Sequence, residues 1–319
     1  MTLSGYQMLK AAMSTALGSG GEFLSESKAT EFIGLIRERT FVRQLFPSFR
    51  MRASKVTIPK ITSGTTLYYT PPGQTPTPSG VGTDQITFES KKLMGYVYWD
   101  AEISEDSIID VAQLLKKDLA QAAAEAEELA AMQGDPEHTA TKDDPKKATE
   151  NNWFERDPRL MCNGVVKLSK SEDAVDPVNL SGSALSPADI LMGKFNLGKY
   201  GRNNNNLVYL VNSYTAMKMI LWEELLTIDK YGPNATIVTG EVGKIMNISV
   251  VDTPWMSYGE SVLTLKGNGA IGDRRKIKFA SEYIPRSDQY AIYPSERIDF
   301  KIPRVDALCN IYGLSKPPS

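Results

Sequence analysis

The chain has 319 residues, with 36 Lys and Arg against 38 Asp and Glu, a single histidine and two cysteines. That length allows two domains with cores of their own, and the near-neutral charge argues neither for a nucleic-acid binder nor for a membrane binder. No apolar run approaches a membrane span, residues 1–21 lack the basic-then-apolar pattern of a signal peptide, and Cys162 and Cys309 are expected to be free buried thiols.

Residues 1–21 carry a weak helical pattern (Tyr6, Leu9, Met13, Leu17) that ends in Gly18-Ser19-Gly20-Gly21, and read as an adaptable arm. Residues 28–45 read as a helix with Phe32, Leu35, Ile36, Phe41 and Val42 on its apolar side, closed by Pro47. This region is locally basic. Arg37, Arg39, Arg43, Arg50 and Arg52 are candidates for facing nucleic acid or an acidic neighbour. No aromatics interleave them, so a solvated face with salt bridges to another subunit is the better fit.

Val56, Ile58, Leu67 and Tyr69 sit in short Thr-rich alternating runs that read as strands, and residues 84–88 return as another. Between them lies a stiff, non-helical tip containing Pro71, Pro72, Gly73, Pro76, Pro78, Gly80 and Gly82. Residues 50–90 are therefore expected to form a long β-hairpin arm. A lone two-stranded hairpin is marginal in water, so its tip should lie on an adjacent subunit.

A strand with Leu93, Tyr96, Tyr98 and Glu102 then runs into a helix predicted over 104–133. Ser104 is the expected N-cap, followed by Glu105 and Asp106 in the first turn. Ile108, Val111, Leu115, Leu119, Ala122, Ala126 and Leu129 recur at helical spacing, and Gly134 with Pro136 stops the run. Such a helix is about 43 Å long. The acid pairs Asp106/Asp110 and Glu127/Glu128 are assigned to its wet face, where a carboxylate keeps an ordinary pKa. Residues 135–160 read as a polar insertion pinned by Trp153 and Phe154, and hold the single histidine, His138.

From residue 161 a second domain is expected. Ser186-Pro187-Ala188-Asp189 is a strong helix start, with Ile190, Leu191 and Phe195 inward. Residues 207–211 form an apolar strand, and Asn212 caps a helix over 213–226 with Met217, Ile220, Leu221 and Leu225 inward. A loop at 230–234 follows, then strands near 237–239, 248–251, 261–266 and 276–283, which together give an α/β unit with a mixed sheet. A last alternating run through Tyr290, Ile292, Ile298, Phe300 and Ile302 is placed to pair with the strand before the long helix.

No catalytic, cofactor or metal site is legible. Gly267 to Gly272 matches G-x-G-x-x-G, but a strand follows where that fingerprint needs a helix, so it reads as a hairpin turn. Two distant cysteines and one histidine do not make a zinc site, and His138 in a polar insertion is a poor catalytic base. The chain reads as structural rather than enzymatic.

The order of parts resembles the HK97-fold major capsid proteins of tailed bacteriophages, over nearly the whole of 22–311. The matching stretches are Trp99 to Ser107, Leu129 to Asp135, Met161 to Val166, Leu207 to Ser213 and Gly243 to Val251. The resemblance implies an α+β HK97-like capsid fold. Its parts would be an N-terminal arm and basic helix (1–49), an extended β-hairpin arm or E-loop (50–90) and a peripheral domain (91–160) with spine helix 104–133 and insertion 135–160. An axial domain (161–287) and a return strand with tail (288–319) complete it. It further implies pentamers and hexamers closing an icosahedral shell around double-stranded DNA held without sequence specificity. Portal and scaffolding proteins, and a candidate decoration or cement protein, would be partners; no membrane and no cofactor are implied. The shell would assemble in the host cytoplasm and reside in the virion. The short segment before the arm suggests that scaffolding is separate or already cleaved. In this frame Tyr231, Gly232, Pro233, Asn234 and Ala235 lie near a symmetry axis, and the five arginines face genome or neighbour. The alternatives are an encapsulin-type compartment shell packaging enzyme cargo, an enzyme whose acids meet only on folding, and a DNA-binding module built on residues 28–60.

Overall fold

The computed structural model describes residues 41–106, 110–139, 153–220, 222, 225–226 and 241–314. The first half runs α1 (Val42–Leu45), β1 (Ser48–Arg50), β2 (Lys55–Ser63), β3 (Gly82–Glu89), β4 (Lys91–Met94), β5 (Val97–Asp100), α2 (Ala101–Asp106) and α3 (Val111–Gln133). The second runs α4 (Val165–Ser169), β6 (Val178–Asn179), α5 (Pro187–Asn196), β7 (Leu207–Val211), α6 (Ser213–Ile220), β8 (Leu225–Leu226), β9 (Glu241–Ile245) and β10 (Ile248–Asp252). It ends with β11 (Glu260–Leu265), β12 (Ala270–Ile284), β13 (Gln289–Lys301) and β14 (Leu308–Tyr312).

These strands form three sheets. A five-stranded sheet has the order β1-β12-β13-β4, with β5 also on β13. A seven-stranded sheet runs β6-β14-β11-β7-β10-β9-β8, and β2 with β3 stands alone as a pair. β13 pairs antiparallel with β4 and β5, the two strands ahead of the long helix. The seven-stranded sheet is mixed: β7 is parallel to β10 and antiparallel to β11. β7 is buried on both faces, which is why it reads as an unbroken apolar run. Leu207, Tyr209 and Val211 pack in one cluster with Ile190 and Met219, while Val208 and Leu210 join another with Met132, Val165 and Phe300. The second cluster reaches across both large sheets, so they share a core.

A boundary at 287 does not match this connectivity. β12 lies within 161–287 yet belongs to the sheet of β13, and β14 lies within 288–319 yet fills the space between β11 and β6. Alternation marks a residue run as a strand but does not name its partner. For the same reason Gly267 to Gly272 is not a hairpin: it carries the chain from β11 to β12, which lie in different sheets. A Cβ at Gly269 would sit 2.6 Å from the Phe46 ring, so the glycine permits that close approach.

The long helix starts later than expected. Ser104 lies within α2, and Asp110 caps α3 instead by accepting from the Gln113 backbone N–H at 3.0 Å. Ile108 falls outside the described residues. With 23 residues, α3 is about 34 Å long. Its stop at Gly134 is steric rather than conformational. The backbone there is extended (φ −55°, ψ 133°), and a Cβ would strike the carbonyls of Ala130 and Cys162. Gly164 donates its N–H to the Gly134 carbonyl at 2.8 Å, so two glycines let the chain pass close.

Three inward assignments change. On α5, where Asp189 accepts from both the Ser186 N–H and its hydroxyl, Ile190 is buried but Leu191 and Phe195 are 43% and 79% exposed. α6 ends at Ile220, and Leu225 lies in β8. Ala216 and Met219, not Met217, point inward. Leu221 and the strand near 237–239 are outside the described residues. The short helix packs on β10 and β9 at one rotation only, and sequence periodicity over two turns leaves that rotation open.

Candidate assembly surfaces

Among the described residues the arm is tied down at its root. β2 and β3 pair antiparallel from Lys55↔Glu89 to Ser63↔Gly82. Phe88 is fully buried at the root and meets Phe49 edge-on at 5.0 Å, and the Glu89 N–H donates to Asp299 at 2.7 Å. Surface ion pairs add little: Lys55–Glu89 at 2.8 Å lies at the root, and Lys60–Asp84 at 3.3 Å further out. A polar cleft of about 660 Å³ separates Lys60 to Gly64 from Lys199, Tyr200, Arg304 and Asp306, so among the described residues the middle of the arm does not rest on its own subunit.

Leu67 and Tyr69 are not in a strand. They lie in the irregular stretch after β2, 98% and 87% exposed. Of the tip residues, Pro71 and Gly82 are half-buried, while Pro72, Gly73, Pro76, Pro78 and Gly80 are exposed. Gly73 has φ +83° in a turn closed by Gln74 N–H to the Pro71 carbonyl, a conformation that suits glycine. An apolar groove of about 350 Å³ lies elsewhere on the subunit, between Leu119, Ala122 and Ala126 of α3 and Leu93, Met94 and Pro294 of the five-stranded sheet.

The basic candidates separate. Arg37 and Arg39, like Tyr231, Gly232, Pro233, Asn234 and Ala235, lie outside the described residues. Arg50 and Arg52 are exposed near the arm root. Arg43 is engaged inside the subunit. Its Nε and Nη2 donate to Glu127 at 2.7 and 2.6 Å, and its Nη1 and Nη2 donate to Asp273 at 3.0 and 3.1 Å. Glu127 is therefore not on a wet face, and neither is Glu128, which accepts the Phe41 N–H at 3.0 Å. α3 drives its last turns between the two large sheets, where the side opposite the apolar stripe is also covered. Acids survive there because each has a donor.

Glu296 completes this cluster from β13. Burial first, then the nearby Glu127 carboxylate, pushes it up to about 8. A protonated Glu296 can donate to Glu127, whereas two bare carboxylates would repel. Asp299, under the arm root, is also raised, chiefly by burial.

Among the described residues the catalytic candidates do not converge. Cys162 and Cys309 are free and buried, and burial pushes both up to about 12, so neither thiol is a ready nucleophile. His138 stacks on Trp153 at 4.0 Å, and Arg159 lies over the same indole at 4.3 Å. Trp153 thus anchors the described ends of the 135–160 stretch. Among the described residues no three metal-ligating side chains cluster, and no helix is long and apolar enough to cross a membrane.

The outer face of the five-stranded sheet carries a feature no contiguous motif announced. Arg275 of β12 faces Arg297 of β13, and Arg297 faces Lys92 of β4, so three cations stand in one cross-strand row. In the next row Lys278 faces Ser295, and Arg275 donates to the Ser295 hydroxyl at 2.8 Å. Tyr96, Tyr98 and Tyr293 cluster further along, with ring centroids 5.1 to 6.5 Å apart.

Comparison with known proteins gives a consistent answer. The model of the phage capsid family matches residues 20–311. The major capsid protein of Klebsiella oxytoca phage phiKO2 is 29% identical over 150 residues, which is 46% of this chain and 34% of that protein. The match thus spans about a third of that relative's length. Among solved structures, the capsid of a native GTA particle aligns with a TM-score of 0.66 at 15% identity, over 93% of this chain and 98% of the other. Mycobacterium phage Adephagia aligns at 0.63 and 10%, over 95% and 99%. These likenesses assign the HK97-like capsid fold.

Proposed function

The chain belongs to the phage capsid family, and from that membership we propose that it is a structural major capsid protein that self-assembles as pentamers and hexamers into an icosahedral shell around double-stranded DNA. One observation carries the reading: an arm held at its root that exposes Leu67 and Tyr69 while a cleft parts it from its own subunit. Burying a large apolar side chain contributes about 1.5–3 kcal/mol, so arms of this kind stabilise a lattice when a neighbour covers them. Repetition around a closed shell then multiplies small contacts. The apolar groove beside α3 is the receptor assigned to a neighbouring subunit's arm.

In this reading residues 231–235 lie near the five- and six-fold centres, Arg50 and Arg52 face a neighbour or the genome, and portal, scaffolding and decoration proteins act on the assembled lattice. Assembly takes place in the host cytoplasm and the shell becomes part of the virion. Electron microscopy of the purified protein, beside its sedimentation profile, tests the proposal. Closed shells or five- and six-membered rings are expected. A compact monomer at every concentration, with scaffold supplied, overturns it. Deleting 71–82 should leave a folded subunit that assembles poorly, and normal shells from that deletion remove the arm from the account.

A further inference from the structure

The row Lys92–Arg297–Arg275 asks for an explanation that subunit stability does not supply. Like charges directly opposite on neighbouring strands are destabilising. Among the described residues, the ion pairs include none of Lys92, Arg275, Lys278 or Arg297. Edge protection, the usual reason for a basic strand, accounts for β12 beyond Asp273 but not for Arg297. That residue sits on β13 between β12 and β4. β12 also departs from regular pairing twice here, between Asp273 and Arg275 and between Arg275 and Lys278. Such bulges re-aim side chains and sharpen local twist. The arm root covers the neighbouring end of the face, where Met51 and Phe88 pack over Gly272 and Glu89 caps Asp299. The cationic row begins where that cover ends.

Resting on the capsid reading, we propose that this outer face binds the phosphate backbone of duplex DNA, with Lys92, Arg275, Lys278 and Arg297 as the phosphate contacts. Arginine forks suit phosphate oxygens, and backbone contacts of this kind carry no base information, as a genome container needs. An acidic protein is the less fitting partner. Protein interfaces are depleted of charge at their centres, and here Arg297 lies between Lys92 and Arg275 in one row.

The test uses the purified full chain and mixed-sequence duplex DNA, titrated between 50 and 200 mM salt. Four engaged phosphates give a log–log salt slope of about −4. The double variant Arg275→Ser/Arg297→Ser should bind at least tenfold more weakly at low salt, with a slope shallower by about two. Lys116→Ser/Lys117→Ser, which removes equal charge from the spine helix, should change neither. Circular dichroism confirms that each variant is folded. Equal losses from both double variants overturn the proposal, because binding is then only a matter of total charge. Unchanged DNA binding in folded Arg275→Ser/Arg297→Ser also overturns it, and if that variant fails to form shells the face belongs to a protein contact. The shell assay on the unmodified chain is separate, so failure of the capsid reading and failure of this assignment are told apart.

Discussion

The two faces of the five-stranded sheet treat charge in opposite ways. On the inner face Arg43 is gripped by Glu127 and Asp273, and Glu296 is held towards its neutral form beside them. On the outer face Arg275, Arg297 and Lys92 stand in register with one another. The acids of the inner cluster are buried, so each needs a cationic partner or must hold its proton. The outer face is wetter, and its cations have no ion pair among the described residues. The same residue types are thus structural on one side and open for contact on the other, and solvent decides which.

Breaking the inner side should give the largest effect. Glu127→Ala leaves Arg43, whose side chain is 39% exposed, with only Asp273 and should cost up to about 3 kcal/mol, read by denaturant unfolding of unassembled protein. A loss below about 0.5 kcal/mol would show the cluster to be a bystander.

The next effect depends on pH. Glu296 binds its proton more tightly folded, at about 8, than its usual value of 4.5. Its contribution is therefore fully present below pH 4.5 and is lost as pH rises through about 8. The groups facing it are Glu127, Arg43 and Asp273. Glu296→Gln mimics the neutral form and should match the parent near pH 4.5 but exceed it by a few kcal/mol at pH 9. Parallel stability–pH curves would mean that Glu296 ionises freely.

Smaller effects are expected outside. Arg297→Ser removes like-charge repulsion and should leave stability unchanged or raise it by about 0.5 kcal/mol. A drop of 2 kcal/mol or more in the same unfolding assay would give the row a structural role. Least of all, Leu67→Ser/Tyr69→Ser should shift subunit stability by less than about 0.5 kcal/mol, since both side chains are exposed. The same variant should yield few closed shells by sedimentation, which would separate a lattice contact from a fold contact.

Much of the fold was legible in local signals. The Pro- and Gly-rich tip, the Ser186–Asp189 capping box and the apolar run of β7 each rest on residues near one another in the chain. What failed needed a partner from elsewhere. Ser104 looks like a cap, yet Asp110 does the capping. Glu127 and Glu128 look solvated because the apolar stripe of their helix points away from them, but Arg43 and Glu296 close over Glu127, and the Phe41 N–H and Thr253 reach Glu128. Phe195 looks buried by composition, yet its turn of α5 faces out.

The sequence by itself determined the hairpin arm, the long helix with its approximate end, the strand β7 and the order of parts by which this chain resembles a capsid protein, because propensity, turn chemistry and periodicity act over a few residues. Only the tertiary structure decided which sheet β12 and β14 join, and which arginine is neutralised and which has no ion pair among the described residues. Those outcomes depend on pairings between residues such as 92, 275 and 297, which approach only when distant strands are laid in register. No local pattern encodes that register, because it is set by the burial of both large sheets against one shared core.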